Sequence, residues 1–247
     1  MTRADVEAIE RATVAAVAPQ AALEIGGWLV ALDPGTIRRA ASAAPLSRDL
    51  AADPATFDAI EAAYEAQGRA PAFRIADVPG LEDVRTELAR RGYRPEQPTL
   101  VKVGAAAGMI AAARGEPALT AEAPGEGWAA VFTSEGFDPV DGASRVAALT
   151  RSPDAVYGAI AQGADVLAVG AAAFGHGWAS VHGMRTRATR RGEGLAGRVL
   201  AGLALAAQAR GIERVFLQVE EGNAGARSLY RRAGFEAAWR YFYWSRS

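Results

Sequence analysis

Arg185, Arg187, Arg190 and Arg191 crowd around Gly192 and Gly194, just ahead of an apolar run that starts at Leu195. Glycine has no side chain to hold an anion off the backbone. The first turn of a helix presents unpaired N–H groups and a partial positive charge. A strand end, a cationic glycine loop and a helix start therefore read together as a phosphate cradle. The same residues could instead make a flexible, arginine-rich surface turn. Further along stand groups able to move protons. Glu220 follows the apolar stretch Val215 to Val219, and Asn223 and Tyr230 lie in the short helix expected after it. His182 sits two residues before Met184 in the strand leading to the loop, so the two share a face. It could equally be a satisfied core or rim histidine, and Glu220 a solvated strand-end residue.

Two kinds of phosphate cradle fit the loop. Gly192-Glu193-Gly194-Leu195-Ala196-Gly197 spells the G-x-G-x-x-G of a dinucleotide fold, and Glu220 supplies the acidic residue that this pattern wants after the next strand. That fold then needs several more parallel strands. Only 27 residues remain after Glu220, room for one short helix and one strand. Arg187 to Arg191 also separate the glycines from the preceding strand, where a dinucleotide turn would abut it. The second kind is carried by two motifs in order. Thr189-Arg190-Arg191-Gly192-Glu193-Gly194 resembles the R/Q-x-x-G-x-G/A loop of the GNAT superfamily of N-acetyltransferases, with Thr189 replacing the usual Arg or Gln. Asn223, Ala226, Leu229, Tyr230, Gly234 and Phe235 resemble that superfamily's N-x-x-A-x-x-L-Y-x-x-x-G-F segment. The resemblance covers roughly residues 117–247.

The resemblance implies a mainly antiparallel α/β (α+β) fold and acetyl-CoA as co-substrate, with no metal. It implies that loop amides from Arg191, Gly192, Glu193, Gly194, Leu195 and Ala196 bind the coenzyme's pyrophosphate. Backbone groups of Met184, Arg185 and Thr186 would pair with the pantetheine arm, and Asn223 and Ala226 would lie along it. Tyr230 would donate a proton to the departing sulfur, with Glu220 or His182 as general base. Tyr230 could alternatively be a core aromatic behind Ala226. The acceptor is expected to be a primary amine of a small molecule or peptide. A non-catalytic acetyl-CoA sensor, or a transferase for another acyl-CoA, fits the same residues.

Composition narrows the partners. The chain has 247 residues, half of them apolar, with a net charge of −1. Nothing in that balance argues for nucleic acid or an anionic membrane. There is no Cys, so disulfides and cysteine nucleophiles are excluded, and the two histidines have no metal-ligand spacing. The first 20 residues lack the charged start and apolar core of a secretion signal. A cytoplasmic protein, monomer or homodimer, is expected.

These residues need elements to hold them. Strands are expected at 155–161, 165–173, 178–186, 215–219 and 237–244, with helices at 141–149, 195–210 and 224–232. Upstream, residues 3–18 read as a helix, and Trp28 to Leu32 as a strand closed by Asp33-Pro34-Gly35. Thr36 to Ala44 reads as the returning strand. Asp53 before Pro54 signals a helix start. Phe57, Ile60 and Tyr64 then share one helical face. Leu88-Ala-Arg-Arg-Gly-Tyr93 echoes Leu229-Tyr-Arg-Arg-Ala-Gly-Phe235, which suggests two copies of one fold, chance being the alternative. The whole chain also looks like a tandem arrangement in the same superfamily, and that resemblance implies a degenerate lobe over 1–110 and a catalytic lobe over 117–247, joined within 104–127, each a mainly antiparallel sheet with a splayed strand pair flanked by helices. Between Ala44 and Phe57 no glycine offers a second phosphate loop. Trp239, Tyr241 and Tyr243 alternate along the last strand and read as core or interface packing.

Overall fold

The computed structural model describes residues 1–246. Its first lobe contains α1 (Arg3–Val17), β1 (Ala21–Ile25), β2 (Trp28–Leu32), β3 (Ala43–Pro45), α2 (Pro54–Glu65), β4 (Ala72–Ala76), α3 (Glu82–Arg90) and β5 (Arg94–Ala105). The second lobe adds α4 (Ala106–Ala111), β6 (Leu119–Ala121), α5 (Glu126–Phe132), α6 (Pro139–Leu149), β7 (Ala155–Gln162), β8 (Asp165–Gly175) and β9 (Trp178–Thr186). It closes with α7 (Leu195–Gln208), β10 (Arg214–Glu220), α8 (Ala224–Arg232) and β11 (Glu236–Ser245).

Local chemistry accounts for most of these boundaries. Thr2 and Asp5 form a reciprocal capping box at the start of α1, at 3.2 and 2.9 Å. Asp53 caps α2 ahead of Pro54, and Asp138 caps α6 ahead of Pro139 in the same way. Phe57, Ile60 and Tyr64 of α2 bury one face against Trp28, Phe73 and Tyr93. In the second lobe α7 buries Leu195, Val199, Leu200 and Leu203 against β7, β8 and β10.

The two lobes share one sheet of eleven strands, ordered β1-β2-β3-β4-β11-β5-β10-β9-β8-β7-β6. Only β3/β4 and β9/β10 are parallel; every other neighbouring pair is antiparallel. This mixed, mostly antiparallel sheet excludes the doubly wound dinucleotide fold. The order is symmetric about β11 and β5. Each lobe sends its last strand across: β5 pairs with β10, β11 pairs with β4, and the two crossing strands pair with each other. The expected pair of separate sheets is thus one sheet, because each lobe's last strand needs an edge partner and takes it from the other lobe. Val6, Ile9 and Ala12 of α1 cover the crossing region, packed on Val101, Phe216 and Trp239.

The two echoing segments end alike. Gly92 and Gly234 take left-handed conformations, at φ 88° and 78°. Tyr93 N–H closes on the Leu88 carbonyl at 3.0 Å, and Phe235 N–H on the Tyr230 carbonyl at 2.9 Å. These matching bonds align Leu88, not Ala89, with Tyr230.

One expectation is corrected. Of the expected returning strand over 36–44 only the end forms: Ala43 to Pro45 return antiparallel to β2, whose other edge pairs with β1 through the turn at Gly26 and Gly27. Arg38 to Ala41 form a 3-10 turn. Contacts from the second lobe hold the chain there: Thr36 N–H donates to Ser144 Oγ at 2.8 Å, and Thr36 Oγ1 bonds Asp141 at 2.7 Å. Ile37 and Ala40 bury against Val17 and Ala148. The junction at 104–127 contains the end of β5, α4 and β6. Among the described residues no helix is long and apolar enough to cross a membrane.

Candidate active site

The residues singled out for chemistry come from β9, the loop after it, α7, the end of β10 and α8. The structure brings them to one cleft of about 1150 Å³, except Arg187, whose Nε donates to the Val166 carbonyl at 2.7 Å. The cleft exists because β9 and β10 part. They pair only over Ala179 to Val181 and Val215 to Leu217, after which both strands continue unpaired with each other. A register shift against β8, between Val169 and Ala171, marks a bulge in β9 at Gly183, whose φ is 60°. A side chain on Gly183 would strike Leu149 and Phe132. The sequence signal for this bulge was a lone glycine inside a strand pattern. His182 and Met184 lie on either side of it, and Met184, Arg185 and Thr186 line the cleft beyond it.

The glycine loop forms one end. Gly192 and Gly194 have φ of 86° and 80°, and a Cβ added at either would meet nothing within 4 Å. Their need is for the left-handed backbone and for open space on the cleft side, not for internal packing. Gly194 is the N-cap of α7 and supplies no side-chain cap. The first donor inside the helix is Gly197 N–H, at 3.0 Å from the Gly194 carbonyl. The Leu195 and Ala196 amides precede it and have no helical carbonyl. Glu193, an unexpected charge for a phosphate cradle, is paired with Arg190 at 2.8 Å. That pairing leaves Arg185 and Arg191 to set the sign of the field. Arg185 is substantially buried against the rings of Phe132 and Phe137. Burial, with the charge of Arg145, pushes its pKa down.

The far wall holds the proton-active groups. Tyr230 is buried edge-on against Phe235, with 5.9 Å between ring centroids. Burial pushes its phenol up to about 12, against the opposing charge of Arg185, so it is protonated at neutral pH. Asn223 spends its Oδ1 on the Ala226 N–H at 3.1 Å as the N-cap of α8, keeping its amide donors. Glu220 is exposed at the end of β10 and accepts from Gln97 Nε2 at 2.8 Å. His182 is 4% exposed, and its Nε2 has no hydrogen-bond partner. Burial first, then the Arg39 charge, lowers its pKa to about 3.

Sequence reasoning missed what the first lobe contributes. Arg39, Gln97 and Thr99 line the same cleft, as do Tyr241 and Tyr243 of the crossing strand β11. The two tyrosines are buried as expected, but they also wall the cleft. The strand exchange carries Gln97, Thr99, Tyr241 and Tyr243 across, and the 3-10 turn held by Ser144 and Asp141 presents Arg39. Gln97 stands at φ 51° where β5 is irregular against β11, a conformation uncommon outside glycine.

The protein-family model described as "Probable histone acetyltransferase Rv0428c C-terminal" matches residues 3–244. No curated protein sequence matches the chain. Several solved structures do. A GCN5-related N-acetyltransferase from Kribbella flavida superposes with a TM-score of 0.73 at 17% identity, over 98% of this chain and 95% of that one. A GNAT-family protein from Novosphingobium aromaticivorans gives 0.56 at 19% identity, over 97% and 99%. A tandem GNAT protein from the clavulanic acid biosynthesis pathway gives 0.60 at 12% identity, over 97% and 94%. At these identities the structures establish a shared fold.

Proposed function

The chain belongs to the probable histone acetyltransferase Rv0428c C-terminal family, acyltransferases of the GNAT type, and on that premise we propose that it moves an acetyl group from acetyl-CoA to a primary amine by direct transfer in a ternary complex. One observation carries the reading. Two motifs separated in sequence, Arg185 to Ala196 and Glu220 to Tyr230, line a single cleft at the point where β9 and β10 part. The residues fit the coenzyme. An uncapped helix start, two glycines with open space above them and unpaired arginines suit a pyrophosphate. Acetyl-CoA supplies an activated acetyl group; this chain's residues hold it and handle protons.

In this reading the amides from Arg191 to Ala196 take the pyrophosphate. The backbone of Met184, Arg185 and Thr186 on the splayed part of β9 flanks the pantetheine arm, with Asn223 and Ala226 opposite. Tyr230, protonated and dry, delivers a proton to the leaving sulfur. Glu220 receives the proton that the acceptor amine gives up, since it is an accessible carboxylate held by Gln97. His182, whose pKa of about 3 makes it too weak to keep a proton taken from an ammonium group, acts as a neutral hydrogen-bond partner. Catalysis belongs to the lobe over 117–247, and the lobe over 1–110 supplies wall and support.

Calorimetry with acetyl-CoA should give one site per chain. An amine screen that follows release of the coenzyme thiol should then find an acceptor. Two sites of similar affinity would overturn the assignment of the lobes, and absent binding would overturn the transferase reading.

A further inference from the structure

At the end of the cleft away from the glycine loop, nearly every polar side chain has a partner in the protein. Gln218 bonds Thr13 at 2.9 Å and Tyr241 at 2.9 Å. Thr99 Oγ1 donates to the Gln97 carbonyl at 3.0 Å. Gln97 accepts from Arg38 at 3.0 Å and donates to Glu220 at 2.8 Å. Arg38 is further held by Glu96 at 2.7 Å and lies over the Tyr243 ring. Two groups are left over. Arg39 lines the cleft half-buried, and its Nε is buried without a hydrogen-bond partner. His182 lines the cleft 96% buried, its Nε2 likewise unpartnered. Arg39 is close enough for its charge to act on His182 and on Tyr243.

Buried polar atoms are normally satisfied, so the unpartnered Nε of Arg39 and Nε2 of His182 are exceptions. The adjacent arginine shows what a settled guanidinium looks like here: Arg38 has an acid, an amide and an aromatic face. Arg39 and His182 are the vacant donors of an otherwise completed wall. A guanidinium fork beside an imidazole suits a planar, singly charged acid. Glu220 on the same cleft supplies the opposite sign for an ammonium.

We propose that Arg39, with His182, binds the carboxylate of the acceptor, so that the acceptor is a small amine carrying a free acid, of the amino acid type, and not a lysine in a basic peptide. This rests on the transferase reading for the role of the bound molecule, but the binding itself is testable without turnover. The first lobe thereby sets acceptor choice, since Arg39 lies on its 3-10 turn at the cleft.

The test is calorimetry on the full chain, with and without coenzyme A. The probes are the common amino acids as free acids, their carboxamides, the corresponding aminophosphonates and a lysine-rich histone-tail peptide. At least one free acid should bind roughly 10- to 100-fold more tightly than its amide, the factor expected for a charge-assisted hydrogen bond. Arg39→Gln should erase that difference while coenzyme A affinity and the unfolding midpoint hold. Arg39→Lys should restore part of it. The proposal is overturned if acid and amide bind alike, if no free acid binds, if the preference survives Arg39→Gln, or if the phosphonate or the histone-tail peptide binds best. Failure of coenzyme A to bind would sink the transferase reading while the acid–amide comparison still decided this one.

Discussion

Two helices of this molecule start in equivalent places, each after the first strand of a splayed parallel pair, and only one of them starts open. At α2 the Asp53 carboxylate accepts the Ala55 and Thr56 amides at 3.3 and 3.1 Å. The donors an external anion would use are spent, and a negative charge occupies the place. At α7 the equivalent residue is Gly194, with no side chain and open space above it. The loop before α2 contains one cation, Arg48, and it is turned inward onto the Trp239 ring. Where α8 carries Tyr230, α3 carries Leu88, buried among Trp28 and Phe73. The same order of elements is thus closed by a cap in one lobe and left uncapped in the other. Equivalent folds do not imply equivalent chemistry, and the capping residue and one ring are where these two lobes differ.

The sharpest way to break this contrast is to close the open helix. Gly194→Glu places a side chain on a left-handed backbone and a carboxylate at the cradle, and should abolish acetyl-CoA binding in calorimetry. Undiminished binding would mean that the loop is only a surface turn. Tyr230→Phe keeps the ring and removes only the hydroxyl, a group that Leu88 also lacks in the other lobe. With an acceptor in hand the rate should fall about 10²-fold, with little change in coenzyme affinity. Normal turnover would remove the phenol from the mechanism.

His182 should report on burial through pH. Its folded-state pKa of about 3 lies below the unfolded value of 6.5. Above pH 6.5 both states are neutral and its contribution to stability is intact. As pH falls from 6.5 towards 3 only the unfolded state takes up the proton, so stability is lost, on the order of 2 kcal/mol at pH 5. Denaturant unfolding at pH 7.5 and pH 5 should show the drop, and His182→Gln should flatten it. An equal slope in the variant would show that other groups cause the loss. The smallest effect is expected in the closed lobe. Asp53→Ala uncaps α2 and should lower the unfolding midpoint by roughly 2–4 °C, without creating a second coenzyme site. A second site would mean that the cap alone had silenced this lobe.

The legible part of this protein was local. Glycine conformations, the Asp53-Pro54 and Gly194-Leu195 helix starts and the apolar face of α2 depend on residues a few positions apart, so they could be read along the chain. The order of loop, helix, strand and second motif from Gly192 to Phe235 could be read for the same reason. Even the echo between lobes was visible, though only the matching bonds at Tyr93 and Phe235 corrected its alignment by one residue. Tertiary structure decided who completes whose sheet. The alternation of Trp239, Tyr241 and Tyr243 marks β11 as a strand but carries no record of which edge it joins, because any open edge offers the same N–H and C=O groups. That choice placed Gln97 against Glu220 and Tyr241 beside the cleft. Contacts from Ser144 and Asp141, more than a hundred residues away in the chain, likewise turned Thr36 to Ala41 from an expected strand into the turn that presents Arg39.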